Sequence, residues 1–330
     1  MSTAILEEET MGTDLPTVSV DLEHCTSHDL SIDFETFFGV EPRHVSPSFR
    51  ICLSDLSYQP KIDRPIAAWA PTTAPFIATI GTGSGTEAVA ALEVFFPALS
   101  SITMTDLSPK VVSSAKSNLI PAVHDAGKVV QAVAMEATAL TGDCLEPLQG
   151  QQPWDLIYVN LPNIPLPEGA ILLEEQMSST YFSSAQLPYR VPPLVSSALL
   201  DLHYTCLIQA RILSLHTPDG VVLSSMGGRV PIATMLALAD TAGYSGRILS
   251  MAWKVQSEPN SVIEGYATQQ RRGLGPFYFY RTTALQRIFH GRTPAGAAPR
   301  ALQIEQELLS ERIDAEEIGH PAVVMASVRK

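Results

Sequence analysis

The chain has 330 residues, 45% of them hydrophobic and 17% charged, with a formal net charge of −13. That length holds one large α/β domain plus an accessory segment, and the composition is that of a soluble globular protein. The acidic balance argues against a nucleic-acid partner, because phosphate binding needs a basic surface that releases counterions.

Residues 1–20 are acidic, carry Glu7, Glu8 and Glu9, and bear Thr and Ser without a period, so disorder is expected there. A secretory signal would need positive charge and an apolar stretch at that place, and no run approaches the roughly 20 apolar residues of a membrane span. A cytoplasmic protein without a membrane partner is expected. Between 21 and 71, short apolar pieces at 34–40 and 49–56 alternate with polar turns, which predicts an N-terminal cap of helices with a short hairpin. The main domain is placed at 72–290. It reads as strand 76–80, helix 86–96, strand 102–105, helix 109–119, strands 129–135 and 155–159, helix 192–215, strand 220–225, helix 230–242, and strands 247–256 and 276–283. Alternating strands and amphipathic helices predict an α/β fold, a doubly wound and mostly parallel seven-stranded sheet with helices on both faces. The last two strands have no helix between them and are expected to form an antiparallel edge hairpin. Gly243 is placed as a helix C-cap. Residues 291–330 read as a C-terminal helical extension, with its helix at 301–313, packing on the domain or on a second copy in a homodimer. The long connection 164–191 reads as a lid loop.

The chemistry concentrates between 76 and 165. The first strand meets the turn Gly81-Thr82-Gly83-Ser84-Gly85, where glycines allow positive φ and close approach of a ligand to the backbone. The helix that follows aims free N–H groups and its positive dipole end at that ligand. Asp106 ends the next strand, roughly 20 residues past the turn, the spacing of a carboxylate that accepts from two ribose hydroxyls. The lysine of a phosphate-binding loop is missing, since Thr86 and Glu87 follow Gly85, which disfavours a nucleoside triphosphate. Further on come Gly142-Asp143-Cys144 and a strand closed by Asn160-Leu161-Pro162-Asn163. Together these describe a nucleotide-type cofactor pocket with a polar tetrapeptide at its reacting end. The cysteines (Cys25, Cys52, Cys144, Cys206) lie far apart and the histidines are scattered, so neither a disulfide framework nor a metal site is expected.

These residues resemble the class I S-adenosylmethionine-dependent methyltransferases over roughly 75–284. The resemblance implies a Rossmann-like fold and S-adenosylmethionine as cofactor. Thr79, Gly81, Thr82, Gly83 and Gly85 then correspond to the glycine motif under its methionine part, Asp106 and Leu107 to the ribose segment, and Asp143 and Cys144 to the adenine segment. Asn160-Leu161-Pro162-Asn163 is similar to the Asn-Pro-Pro-Tyr motif of the glutamine-amide and adenine N-methyltransferases. The run 220–229, ending Met226-Gly227-Gly228-Arg229, is similar to the methyltransferase half of plant methionine S-methyltransferase. Three positions depart from the pattern: Thr79 stands where the family has an acid, Leu161 replaces the first Pro, and Asn163 replaces the aromatic residue. The last change removes a stacking face worth roughly 1–3 kcal/mol per base, which disfavours a nucleobase substrate.

In the resembled motif the Asn oxygen and the next backbone carbonyl accept hydrogens from the target nitrogen and turn its lone pair toward the methyl, roles that fall to Asn160 and Leu161. Substrate recognition is assigned to Glu174, Glu175 and Tyr181 in the lid and to Arg229, whose planar fork suits a carboxylate. The expected activity is methyl transfer to a nitrogen or sulfur of a free amino acid or amino-acid-like metabolite. Two alternatives stay open: a protein glutamine-amide or RNA N-methyltransferase, and a non-catalytic cofactor-binding partner subunit.

Overall fold

The computed structural model describes residues 17–21, 31–35, 76–83, 85, 87–88, 91, 99–125, 136–166, 180–183, 187–256, 259–292, 294–310 and 318–330. The strand expected at 129–135, most of the N-terminal cap, and Glu174 and Glu175 lie outside them. Thr17–Asp21 (β1) pairs antiparallel with Ser31–Glu35 (β2). Residues 17–20, expected within the disordered terminus, are thus part of a hairpin, as the alternation in Thr17-Val18-Ser19-Val20-Asp21 permits.

The main sheet contains Phe76–Ile80 (β3), Ser101–Asp106 (β4), Glu136–Thr141 (β5), Trp154–Asn160 (β6), His216–Gly227 (β9), Tyr244–Val255 (β10) and Ile318–Arg329 (β12). Their order is β10-β12-β9-β6-β3-β4-β5. From β5 to β9 all neighbours are parallel, and β12 runs antiparallel to both β9 and β10. Ile164–Leu166 (β7) and Tyr181–Ser183 (β8) form a separate parallel pair, and Tyr280–Arg281 (β11) adds a short pairing on β12. The mostly parallel α/β sheet with an antiparallel edge is the predicted fold class. Parallel strands covered on both faces read as near-continuous apolar runs. Accordingly Ile77, Ala78, Ile102, Met104, Leu156, Ile157, Val222 and Leu223 are fully buried.

The partner of the edge strand differs from expectation. Residues 276–283, aromatic and strand-like in sequence, contribute only Tyr280–Arg281 to the sheet and then turn into the Thr282–Phe289 helix. Gly273 and Gly275 precede them at φ +89° and +88°, conformations that leave the strand region. The true partner of β10 is β12, which the sequence reading placed in the helical extension. Its residues 322–326 are all buried, so Ala322-Val323-Val324-Met325-Ala326 is a two-sided sheet strand. The predicted helix 192–215 is broken as well. A single turn at Pro193–Ser196 and the Asp201–Ile212 helix flank Leu199, whose φ is +57°. The Ile232–Ala242 helix ends as expected at Gly243, φ +88°, whose N–H bonds the Ala239 and Asp240 carbonyls.

β10 and β12 are separated by 256–317, and the described residues of that segment form an insertion between them. It supplies the Pro259–Arg271 helix, which packs Val262 and Tyr266 against Ile164, Leu166 and Tyr181. It also supplies the Thr282–Phe289 and Ala301–Leu309 helices, whose Leu285, Ile288, Ile304 and Leu308 join the main core. No described helix is long and apolar enough to cross a membrane.

Candidate active site

The site is built from the carboxyl ends of the parallel strands, where open α/β sheets bind ligands. β3 runs into the glycine turn. Gly81 has φ +67°, and a Cβ there would lie 2.7 Å from the Asn160 carbonyl oxygen, so only glycine lets the turn close onto the end of β6. At Gly83, φ +52°, an added Cβ would meet no atom of the described residues within 4 Å. The first glycine packs against β6, and the second has open space among the described residues. The Thr82 N–H donates to the Thr105 carbonyl (3.0 Å) and the Gly85 N–H to the Thr82 carbonyl (2.8 Å). Thr79 is buried and spends its hydroxyl on that of Thr82, 3.0 Å away. It therefore stiffens the turn.

Asp106 closes β4. Its Oδ2 accepts the Gly83 N–H at 3.2 Å and its Oδ1 accepts the Ser108 N–H at 3.3 Å. Burial raises its carboxyl pKa from its ordinary value, while the N–H groups of Ser108, Gly83 and Leu107 oppose that. The Asp106 carbonyl accepts the Gly142 N–H (3.0 Å), which brings the end of β5 alongside. There Cys144 sits at φ +47°, and its carbonyl accepts the Thr105 hydroxyl at 3.5 Å. Its contact with Cys206, reinforced by burial and by Asp143, pushes the Cys144 thiol pKa far up, so it stays protonated. Leu107 is 66% exposed, an uncovered apolar side chain beside the carboxylate. The predicted residues of the first three strand ends are thus brought together.

At the end of β6, Asn160 donates from Nδ2 to Oε1 of Glu87 at 3.1 Å. Glu87 Oε1 is the acceptor here, so this contact fixes which way the amide points and leaves Oδ1 as its acceptor. Glu87 is 7% exposed and was not anticipated; a carboxylate in the first helical turn after the glycines was its only signal. Leu161 packs its side chain beside Gly81. Asn163 turns away, donating from Nδ2 to the Leu199 carbonyl at 3.0 Å. The last motif position therefore holds the backbone of the connection. Tyr181 is buried and donates its hydroxyl hydrogen to the Ser261 carbonyl at 2.6 Å, so this candidate ties β8 to the Pro259–Arg271 helix.

Arg229 follows Gly227 and Gly228 at the end of β9. Its guanidinium folds back so closely that a side chain at Gly227 would collide with Nη1. Nη2 donates to Gln256 Oε1 and to His320 Nε2, both at 2.7 Å, and Nε donates to Gln256 at 3.3 Å. His320 Nδ1–H donates to the Pro321 carbonyl (2.8 Å), which makes Nε2 the acceptor and the ring neutral. Burial, with Arg229 and Lys254 nearby, holds the pKa of His320 well below its ordinary value. The rings of Tyr266 and Phe279 lie 5.2 and 5.8 Å from the guanidinium carbon. Lys254 has its pKa lowered to about 8, by burial first and then by Arg229, with Glu87 opposing. Lys254, Gln256, Tyr266 and His320 were missed because strand pairing and the insertion bring them together across distant sequence. Two polar residues at alternate positions, Lys254 and Gln256, beside the apolar β10 were the available clue.

Among the described residues no group of three His, Cys, Asp or Glu side chains is placed to hold a metal ion. No family model matches the chain. No curated protein matches it either. Solved structures do. A precorrin-6y C5,15-methyltransferase from Geobacter metallireducens aligns at 9% identity and TM-score 0.40, over 90% of this chain and 94% of that one. A SAM-dependent methyltransferase from Agrobacterium tumefaciens aligns at 11% identity and TM-score 0.44, over 95% of this chain and 70% of that one. Likeness at this level leaves the functional reading to the chain's own strand order and residues.

Proposed function

We propose that the protein is an S-adenosylmethionine-dependent methyltransferase acting on a nitrogen or sulfur of a small amino-acid-like molecule. One observation carries the reading. A half-buried carboxylate, Asp106, faces the open glycine position Gly83 at one strand end, and an amide of fixed orientation, Asn160, stands two strands away.

The residues fit the cofactor. Asp106 retains acceptor capacity on both oxygens beyond its backbone contacts, which suits two ribose hydroxyls. Leu107 offers an uncovered apolar surface to a flat base, and the left-handed Cys144 presents the backbone of the adenine segment. Gly81 to Gly85 would hold the amino-acid end. When bound, S-adenosylmethionine supplies an electrophilic methyl group on a sulfonium. The chain's own contribution is positioning, which is what a group transfer in line mainly requires. Asn160 Oδ1 and the Leu161 carbonyl would accept hydrogens from the acceptor and aim its lone pair, while Glu87 keeps the amide from rotating. A thioether acceptor would need only the alignment.

The test has two parts. Calorimetric titration with S-adenosylhomocysteine reads cofactor binding. Incubation with methyl-labelled cofactor and free amino acids, total protein or total RNA reads the acceptor class. Label in the amino-acid fraction is expected; label in protein or RNA alone would sink the small-molecule reading, and no cofactor binding would sink the methyltransferase reading.

A further inference from the structure

We propose that Arg229 and Lys254 form an anion-binding end of the acceptor site, so that the molecule methylated carries a free carboxylate. This rests on the methyltransferase reading and narrows it.

Lys254 and His320 are register partners in the β10–β12 pairing, and Gln256 follows two residues after Lys254. Directly paired residues and alternate residues of a strand share a sheet face, so these three side chains stand together. Arg229 reaches the same face from the end of β9. Its hydrogen-bond acceptors are Gln256, His320 and, at 3.5 Å, the Tyr266 hydroxyl, all of them neutral. Among the described residues it has no carboxylate partner, and one Nη1 N–H is left over from this set. Tyr266 and Phe279 lie against the guanidinium and help to fix its plane.

Lys254 is half-buried and makes no hydrogen bond or ion pair among the described residues. The acid that acts on it is Glu87, whose Oε1 already accepts the Asn160 amide. Two cations therefore share one wall with a single, engaged carboxylate, within a chain of net charge −13. Burial first, and then Arg229, depress the Lys254 pKa, as expected where two cations share one wall. A carboxylate set between them would relieve both, taking the spare Nη1 N–H of the arginine and the lysine point charge together.

The placement also suits the chemistry. Asn160 is the register partner of Ser225 on the adjacent β9, two residues before Gly227. The anion-binding end and the aligning amide thus lie at neighbouring strand ends, as a short bifunctional acceptor requires.

The test uses the full chain, with and without S-adenosylhomocysteine, and acetate as the probe, read by saturation-transfer NMR at pH 7. Acetate is expected to bind, and K254Q and R229Q are expected to weaken it at least tenfold. K254Q is the cleaner variant, since Lys254 makes no hydrogen bond among the described residues. Absence of acetate binding, equal binding by the wild type and K254Q, or preferential binding of methylammonium would overturn the proposal. A second arm compares label transfer to free amino acids with transfer to their carboxamides. Loss of at least a hundredfold with the amides is expected, and equal rates would overturn the proposal. Failure of S-adenosylhomocysteine to bind would remove the methyltransferase reading alone, because the acetate arm is read without it too.

Discussion

On the proposed reading Asp106 serves binding and Asn160 turnover, and single substitutions separate the two. Asp106→Ala removes a charged acceptor and should weaken S-adenosylhomocysteine by about 1.5–3 kcal/mol, roughly ten- to a hundredfold in dissociation constant. Calorimetry on the folded variant checks this, and an unchanged constant would cancel the ribose assignment. Asn160 touches no expected part of the adenosine. Asn160→Ala should lower kcat while the same titration stays within about threefold of the wild type. Glu87→Gln gives the sharper test. It keeps the shape but offers Asn160 an amide that can both donate and accept, so the Asn160 amide is free to flip. A roughly tenfold or larger fall in kcat, with cofactor affinity retained, is the expected outcome. Wild-type kcat in both variants would leave Asn160 as a turn residue.

Among the elements, the Pro259–Arg271 helix is the one whose packing should control access to the acceptor. A Cβ at Gly265 would lie 2.5 Å from the Tyr181 hydroxyl and 2.8 Å from Ile164, so the helix touches β7 and β8 through a residue without a side chain. Gly265→Ala should displace the helix and the Tyr266 ring on it, at a cost of about 1–3 kcal/mol in overpacking. The acceptor KM is expected to rise severalfold while S-adenosylhomocysteine affinity holds; steady-state kinetics and calorimetry distinguish this from general loosening. This helix also marks the limit of what was legible in sequence. The glycine turn, Asp106 and Asn160 follow from local signals, because each depends on a strand and the few residues after it. Tyr266, Gln256 and His320 depend on which strand pairs with β10, a nonlocal choice that the aromatic run at 276–283 obscured. Asn163 looked like a defective recognition residue, and its hydrogen bond to Leu199 shows that it has a backbone to hold instead.

The molecule as a whole should be sensitive to mild acid. His203 is buried on the Asp201–Ile212 helix, and neither ring nitrogen has a hydrogen-bond partner among the described residues. Burial lowers its pKa from 6.5 to about 4. The unfolded chain therefore takes up the proton first. Stability is full above about pH 6.5 and falls as the pH drops toward 4, by up to about 3 kcal/mol from this residue. His216 and His320 are shifted in the same direction, whereas Asp106, Asp201 and Glu305, raised by burial, act oppositely at the acid end. Denaturant unfolding at pH 7.5, 5.5 and 4.5 measures the slope, and His203→Leu should flatten it. An equal slope in that variant would show that His203 does not carry the effect.

The place of β12 bears on how the protein is made. A ribosome delivers β3 to β6, with Gly81 to Gly85, Asp106 and Asn160, well before β12, and β10 has no neighbour in the main sheet until that last strand slots in between β9 and itself. At the roughly 5–20 residues per second of synthesis, the early strands wait some seconds for β12. The half that would hold the nucleoside can thus form while His320 is still unsynthesised and the Arg229 cluster has no floor. On the proposed reading, translation would yield a chain able to take up S-adenosylmethionine before its acceptor end exists, and a ligand captured that early would favour the folded side while the sheet waits for completion.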